Sequence, residues 1–138
     1  HLETMDVVEM TKIASDIGIT CPVNMMIGFP DETEKEIMQS IELAKKLVDA
    51  GAKYCSFFIP IPFPGSKLYD LAIRVGYLDQ DFNPDIMNWH RPVMKNTLVP
   101  PERVLEIREW AWKTVNRDDY VRERLSQNIG KRWNPTGT

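Results

Sequence analysis

A nearly continuous apolar run at residues 53–61, KYCSFFIPI, most constrains how this chain can fold. Strands of a parallel sheet are covered on both faces, so they carry apolar residues at almost every position. A second strand is predicted at residues 19–27, where Pro22 lies near the start and a missing backbone donor is tolerated. An amphipathic helix between the two strands completes a βαβ unit, whose crossover we expect to be right-handed.

Predicted helices account for much of the remaining chain. Thr33 and Glu36 have the spacing of a capping box, and the helix that they begin is predicted to end at Gly51. Further helices are predicted at residues 4–17, 66–76 and 118–129, and from Pro100 onward. The residues predicted to face the core are Val7, Met10, Ala14 and Ile17; Ile37, Ile41, Ala44 and Val48; Leu68, Leu71, Ala72 and Val75; and Val104, Ile107, Ala111 and Val115. Residues 77–99 show no period and are predicted to form a long ordered loop.

The predicted sheet is smaller than its strands require. Two parallel strands do not form a stable sheet by themselves, and strands that are apolar on both faces need neighbours to cover them. We therefore expect residues 1–76 to be the end of a larger α/β domain, or the chain to pair with a second copy of itself.

Composition narrows the classes of function. The net charge is -3 and the pI is near 5.4, so we expect no general attraction to nucleic acid or to an anionic membrane. No apolar run is long enough to span a membrane, and no signal peptide is visible. The two cysteines, Cys21 and Cys55, suit a reducing compartment and exclude a disulfide framework. We therefore predict a cytoplasmic protein that has no set of metal ligands of its own.

The two loops that follow the predicted strands lie where parallel α/β folds bind ligands. Gly28 has no side chain, so a planar ring could approach its backbone, and the helix start near Thr33 offers N–H groups to an anion. After the second strand, residues 60–65 offer backbone carbonyls and a stiff apolar wall that suit the edge of an adenine. On the pattern alone, the alternative is that both segments are only tight βα loops.

Two segments together resemble a known family. MMIGFPDETEKEIMQSIELAKKL and, after it, YCSFFIPIPFPGSKLYDLAIRVGYL resemble the C-terminal part of the radical S-adenosylmethionine (radical SAM) catalytic domain. In that family a strand runs into Gly-Phe-Pro-Gly-Glu-Thr, and the next strand ends in Pro-x-Pro-Gly-Thr-x-Leu-Tyr. The resemblance implies an α/β fold, a fragment of a partial (βα)6 TIM-like barrel with two parallel strands and flanking helices. Residues 1–78 would be the barrel part, and residues 79–138 a helical C-terminal extension.

The resemblance also implies cofactors and site residues. Radical SAM enzymes hold a [4Fe–4S] cluster with a Cys-x3-Cys-x2-Cys loop near the start of the barrel, and the cluster cleaves S-adenosylmethionine to a radical that abstracts hydrogen from a small-molecule substrate. Two motifs of this chain match the strand ends that pack on the adenine and line the nucleoside site. Their residues are Met26, Ile27 and Gly28 in the first motif, and Pro60, Ile61 and Pro62 in the second.

The tail has a resemblance of its own. WHRPVMKNTLVPPERVLEIREWAWKTVNRDDYVRERL is similar to the segment that follows the barrel in cobalamin-binding radical SAM proteins, which include methyltransferases and a ring cyclase. That resemblance implies cobalamin as a further cofactor. His90 and Arg91, within this segment, are candidates to contact a substrate or the edge of a cobalamin.

The chain departs from the family in ways that limit what it can do alone. Cys21 and Cys55 lie too far apart to form the cluster loop, so we interpret them as small buried residues. Asp31 replaces the usual glycine of the first motif. The cluster ligands are therefore expected in the remainder of the enzyme, upstream, and this chain alone is predicted to be inactive. Two alternatives remain: a fragment of another (βα)-barrel enzyme such as an aldolase-like protein, and a non-catalytic α/β self-association module.

Overall fold

The fold is mixed α/β, as predicted, with one pair of parallel strands and helices along the chain. The computed structural model describes residues 4–87 and 91–122. The elements are α1 (Thr4–Asp16), β1 (Pro22–Met26), α2 (Glu34–Asp49), β2 (Tyr54–Phe58), α3 (Lys67–Val75), a short 3-10 helix (Pro84–Ile86) and α4 (Pro101–Val115). Residues 118–122 are also helical, and the rest of the helix predicted at 118–129 lies outside the described residues, as does His90.

The strands β1 and β2 pair in parallel, with Val23 opposite Cys55 and Met25 opposite Phe57. Both strands are shorter than predicted, since β1 begins at Pro22 and β2 ends before Pro60. Among the described residues these two are the only strands of the sheet. The βαβ unit is therefore present, and the barrel that the resemblance implies stays a prediction.

Helices α2 and α4 cover one face of the two-stranded sheet. Val23, Met25, Cys55 and Phe57 point into a core that α2 and α4 complete. Strand alternation places Asn24, Met26, Tyr54, Ser56 and Phe58 on the opposite face. Met26 is 50% exposed and Phe58 is 37% exposed, so the cover predicted for this face is not supplied by the described residues. We call it the open face.

Helix α4 belongs to the same core as the strands. Its predicted stripe is confirmed, because Val104, Ile107, Ala111 and Val115 are all buried. These side chains join one cluster with residues of α2 and with Ile27 and Phe57. The core thus crosses the division predicted between residues 78 and 79, so the first part of the chain depends on the second for its packing.

The outer edge of β2 is closed by side chains of α4 and by Asn116, the residue that follows this helix. The Asn116 amide accepts a hydrogen bond from the Cys55 N–H (2.7 Å) and donates one to the Cys55 carbonyl (2.9 Å), as a neighbouring strand would. Asn116 also donates to the Trp112 carbonyl (2.8 Å), and Arg108 Nε donates to the Phe57 carbonyl (3.0 Å). The buried Asn116 therefore replaces one rung of a ladder, and covering an edge in this way prevents further strand pairing there.

The outer edge of β1 is not covered by any described element. Ile27 N–H donates to the Phe58 carbonyl (3.0 Å), so the alternation of a parallel ladder turns the backbone groups of Asn24 and Met26 away from β2. No strand or helix of the described residues pairs with that edge. Within the described residues, the sheet therefore has its open edge on the β1 side.

Two of the predicted core stripes are partly wrong. Met10 is 62% exposed and Ile17 is 69% exposed, although both were predicted to face the core from α1. Helix α1 packs through Val7, as predicted, and also through Val8 and Thr11. The Thr11 hydroxyl donates to the Val7 carbonyl (2.8 Å). Apolar residues lie on two sides of this helix, and α2 covers only one of them. In α3, Leu71 and Val75 are likewise exposed, whereas Ala72 is buried as predicted.

The capping box at the start of α2 predicts a specific pH dependence. Thr33 donates from its hydroxyl (2.6 Å) and its backbone N–H (2.8 Å) to the Glu36 carboxylate, and these bonds lower the pKa of Glu36 below its ordinary value of 4.5. Because the folded pKa is lower than the unfolded one, the stabilisation is complete above about pH 5 and is lost as the pH falls through the folded pKa. Glu36→Gln keeps the box but removes the titration. Urea denaturation between pH 7 and pH 3 should therefore show the wild type losing stability relative to this variant, and parallel curves would contradict the prediction.

Candidate functional site

The two loops singled out in the sequence lie side by side at one edge of the molecule. Because β1 and β2 are adjacent and parallel, the segment after Met26 and the segment after Phe58 leave the sheet together. This is the edge at which open parallel sheets bind ligands. The first loop, residues 27–33, and the second, residues 59–66, form the candidate site together with the open face beneath them.

The first loop is closed by its own glutamate. One Glu32 carboxylate oxygen accepts hydrogen bonds from the N–H of Gly28 (2.6 Å) and of Phe29 (3.1 Å). The capping box occupies the N–H groups of Thr33 and Glu36 in the same way. The N–H groups of Gly28, Phe29, Thr33 and Glu36 are therefore bonded to the chain's own side chains. A ligand would have to use other groups of the loop.

Gly28 is required by packing against α4. Its φ of +88° lies in the left-handed region, and a Cβ built on it would lie 2.6 Å from Cγ1 of Val104. A cavity of only about 10 Å³, too small to hold a ring, lies between Gly28, Ile59 and Val104. The missing side chain thus makes room for Val104 on this side. An approach of adenine to another side of the Gly28 backbone stays a prediction.

The second loop is buried in its first half and exposed in its second. Pro60 and Pro62 are fully buried, whereas Ile61 is half-buried. Phe63 N–H donates to the Ile61 carbonyl (3.0 Å), and Phe63 itself is exposed. Ser66 accepts from the Tyr69 N–H (3.1 Å) as the predicted cap of α3, which ends at Gly76. The loop therefore supplies a fixed frame with one accessible aromatic side chain.

The six predicted site residues divide by exposure. Ile27, Gly28, Pro60 and Pro62 are buried, so their side chains or backbones support the loops from within. Met26 is exposed on the open face and Ile61 is half-buried, so these two are the predicted residues that a ligand can reach. Whether any of the six binds a cofactor stays a prediction.

Three residues of the open face complete the surface around Met26, and sequence reasoning missed them. Phe58 lies directly opposite Met26, and Ser56 lies opposite Asn24. Two residues along a strand span about 7 Å, so an apolar pair sits near the loops and a polar pair sits one step below it. Tyr120 stacks on Tyr54 with ring centroids 4.8 Å apart and covers the opposite end of this face. The sequence signal for this face was the alternation of side chains along β1, which the parallel register continues into β2.

The cysteines do not fit the ligands of an iron–sulfur cluster. Cys55 is fully buried, and burial raises the pKa of its thiol to about 12, whereas cluster ligands are thiolates. This agrees with its interpretation as a small buried residue, whereas Cys21 is only half-buried. Across residues 4–87 and 91–122, no three His, Cys, Asp or Glu side chains gather as metal ligands would.

Comparison with curated proteins finds a methyltransferase among the similar sequences. Over 93 residues the chain is 36% identical to an uncharacterized methyltransferase of Pyrococcus horikoshii, and the match covers 64% of this chain. The matched stretch spans only 18% of that relative's length. No family model matches the chain. Within the part of the chain that the structure describes, no helix is both long and apolar enough to cross a membrane.

Proposed function

We propose that this chain is the C-terminal part of the catalytic barrel of a radical SAM enzyme, with the open face of β1 and β2 forming the adenine side of the S-adenosylmethionine pocket. The observation that carries the proposal is the pairing of the two motif loops at the carboxyl ends of adjacent parallel strands, beside the exposed Met26 and Phe58. Similarity to a methyltransferase supports it, because methyltransferases commonly take their methyl group from S-adenosylmethionine. A small-molecule substrate and a methyl transfer or ring cyclisation follow from the same proposal.

The two edges of the sheet support a position at the end of a larger sheet. Asn116 and Arg108 close β2, whereas β1 is open, so preceding strands would add beside β1. Met10 and Ile13 of α1, with Ile17 just after this helix, leave an exposed apolar strip on the side of the chain that leads into β1. A strand and helix preceding α1 would cover both the edge and the strip, as the next unit of a barrel does.

The residues present fit the nucleoside better than they fit the other cofactors. Met26 and Phe58 offer an apolar surface for a planar base, and Asn24 and Ser56 offer polar groups one step below. The [4Fe–4S] cluster, which would supply the electron that cleaves the sulfonium, needs thiolates from outside this chain. Cobalamin rests on the resemblance of the tail alone. The described residues are therefore proposed to bind and orient the cofactor, and no chemical step is assigned to them.

The test uses the complete polypeptide encoded by the gene. We expect its reading frame to contain a Cys-x3-Cys-x2-Cys loop ahead of His1, and the anaerobically reconstituted protein to cleave S-adenosylmethionine to 5′-deoxyadenosine when reduced. Met26→Asp should weaken S-adenosylmethionine binding about tenfold or more, because it places a charge in an apolar contact. Met38→Asp is the matched control, since Met38 is an exposed methionine on α2. Absence of the cysteine loop, or equal effects of the two variants, would overturn the proposal.

A non-catalytic self-association module is the second candidate. The open edge of β1 and the exposed apolar strip of α1 favour it, since an unpaired edge is a template for another chain. Sedimentation of this chain over a range of concentrations, combined with the complete reading frame, separates the candidates. Dimers without a cysteine loop in the frame would favour the module. An aldolase-like enzyme has no such support, because neither strand ends in a lysine.

A further inference from the structure

We infer that Val104, in the C-terminal part of the chain, is a positioning residue that sets the backbone of Gly28 and with it the loop above Met26. The inference rests on the proposed function for its ligand, although the positioning itself is a property of the loop. The contact between Val104 and Gly28 joins the two predicted parts of the chain, residues 1–78 and residues 79–138. The C-terminal extension would then help to shape the candidate site.

Three independent contacts restrain the first loop. Glu32 holds the N–H groups of Gly28 and Phe29 from within the loop. The Leu98 N–H donates to the Pro30 carbonyl (2.8 Å), and Val104 packs on Gly28. The last two contacts come from α4 and from the segment that leads into it, far from the loop in sequence. Glycine adopts a positive φ without strain, so the position of this loop is set by the contacts that surround it.

The segment that carries Leu98 and Val104 is itself firmly anchored. Asn96 donates from its side chain to the Gly76 carbonyl (3.1 Å), and the Lys95 N–H donates to the Tyr77 carbonyl (2.9 Å). Further along, Arg108 fixes α4 to the edge of β2. The segment that carries Val104 is thus held by hydrogen bonds both before and after this residue. Val104 can therefore fix the position of the loop and does not merely fill space.

Removing this contact should loosen the loop and weaken ligand binding. If Val104 is shortened, the loop can leave the geometry seen here while the rest of the core stays packed. A ligand then binds a conformation that is only partly populated, and its apparent affinity falls by that fraction. A residue with a merely structural role would lower stability without changing exchange at the loop.

The experiment compares Val104→Ala with Val115→Ala, a matched control, because both valines are buried in the α4 stripe and only Val104 contacts Gly28. Both should lower the melting temperature. Only Val104→Ala should speed amide hydrogen exchange at Gly28 and Phe29, by about tenfold, since exchange reports local opening. Val104→Thr, which keeps the branched shape, should restore the protection. Equal exchange in the two alanine variants would overturn the positioning role.

The ligand arm of the experiment uses the complete protein with S-adenosylmethionine as the probe. We expect Val104→Ala to weaken binding at least about threefold more than Val115→Ala does, through the population of the loop. Faster exchange at Gly28 in a complete protein that binds no S-adenosylmethionine would leave the positioning role standing and would reject the proposed function. Faster exchange with unchanged S-adenosylmethionine affinity would overturn the inference that the loop position matters for this ligand.

Discussion

Replacing Asn116 with alanine is expected to lower the free energy of unfolding by about 2–4 kcal/mol, because two buried backbone groups lose their partners. The Cys55 N–H and carbonyl both bond this one amide, and Asn116 and Cys55 are buried. Because Cys55 is fully buried, its backbone groups have no other protein partner in place of the lost amide while α4 stays packed. The fold must then either keep unpaired groups or release α4 from β2.

Urea denaturation followed by circular dichroism measures this effect. Asn24→Ala serves as the control, because Asn24 is an exposed asparagine on the open face, and surface substitutions usually stay within about 0.5 kcal/mol. Asn116→Asp keeps an acceptor for the Cys55 N–H but offers no donor to the carbonyls of Cys55 and Trp112, so it should also destabilise. A loss for Asn116→Ala no larger than that of the control would show that this amide does not close the edge.

Replacing Gly28 with alanine is expected to cost about 2–4 kcal/mol, the sum of backbone strain at positive φ and overpacking in the core. The new Cβ would lie 2.6 Å from Cγ1 of Val104, which the structure cannot accept without movement. Gly65→Ala is a matched control. Its φ of +86° is nearly the same as the +88° of Gly28, but nothing lies within 4 Å of the added atom.

The difference between the two glycine variants isolates the contact with Val104. Gly65→Ala should cost only the backbone part, about 1–2 kcal/mol. Combining Gly28→Ala with Val104→Ala should recover part of the loss, because the double variant removes the collision and leaves the strained φ. Denaturation of the wild type, Gly28→Ala, Val104→Ala and the double variant completes this double-mutant cycle. Purely additive losses would mean that Gly28 and Val104 do not interact as the structure indicates.

Local patterns in the sequence predicted most of the elements. The capping box of Thr33 and Glu36 and the four-residue stripe of α4 are short-range signals, and both are confirmed. The prediction for Met10 and Ile17 was wrong because apolar residues flank α1 on two sides and only the partner helix decides which side is covered. The apolar run in β2 indicated burial on both faces, whereas the described residues bury one.

The candidate site was predictable in its location and not in its details. Parallel strands place their loops together, so the neighbourhood of Gly28 and Pro60 followed from the βαβ pattern. The burial of four predicted site residues did not, because it depends on tertiary packing, as the contact between Gly28 and Val104 shows. The same holds for Asn116, whose partner Cys55 lies 61 residues away. Contacts of this kind have no local signature in a single sequence.

The closed edge of β2 also limits how many other sheets can pair with this one. A sheet with one open edge can pair with only one other sheet, so it forms either a pair or the end of a longer sheet. A unit with two adhesive edges can add copies at both sides and grow without limit, which is the geometry of fibrils. In this chain one amide, on Asn116, closes a rung of the second edge and thereby favours finite assembly over open-ended polymerisation.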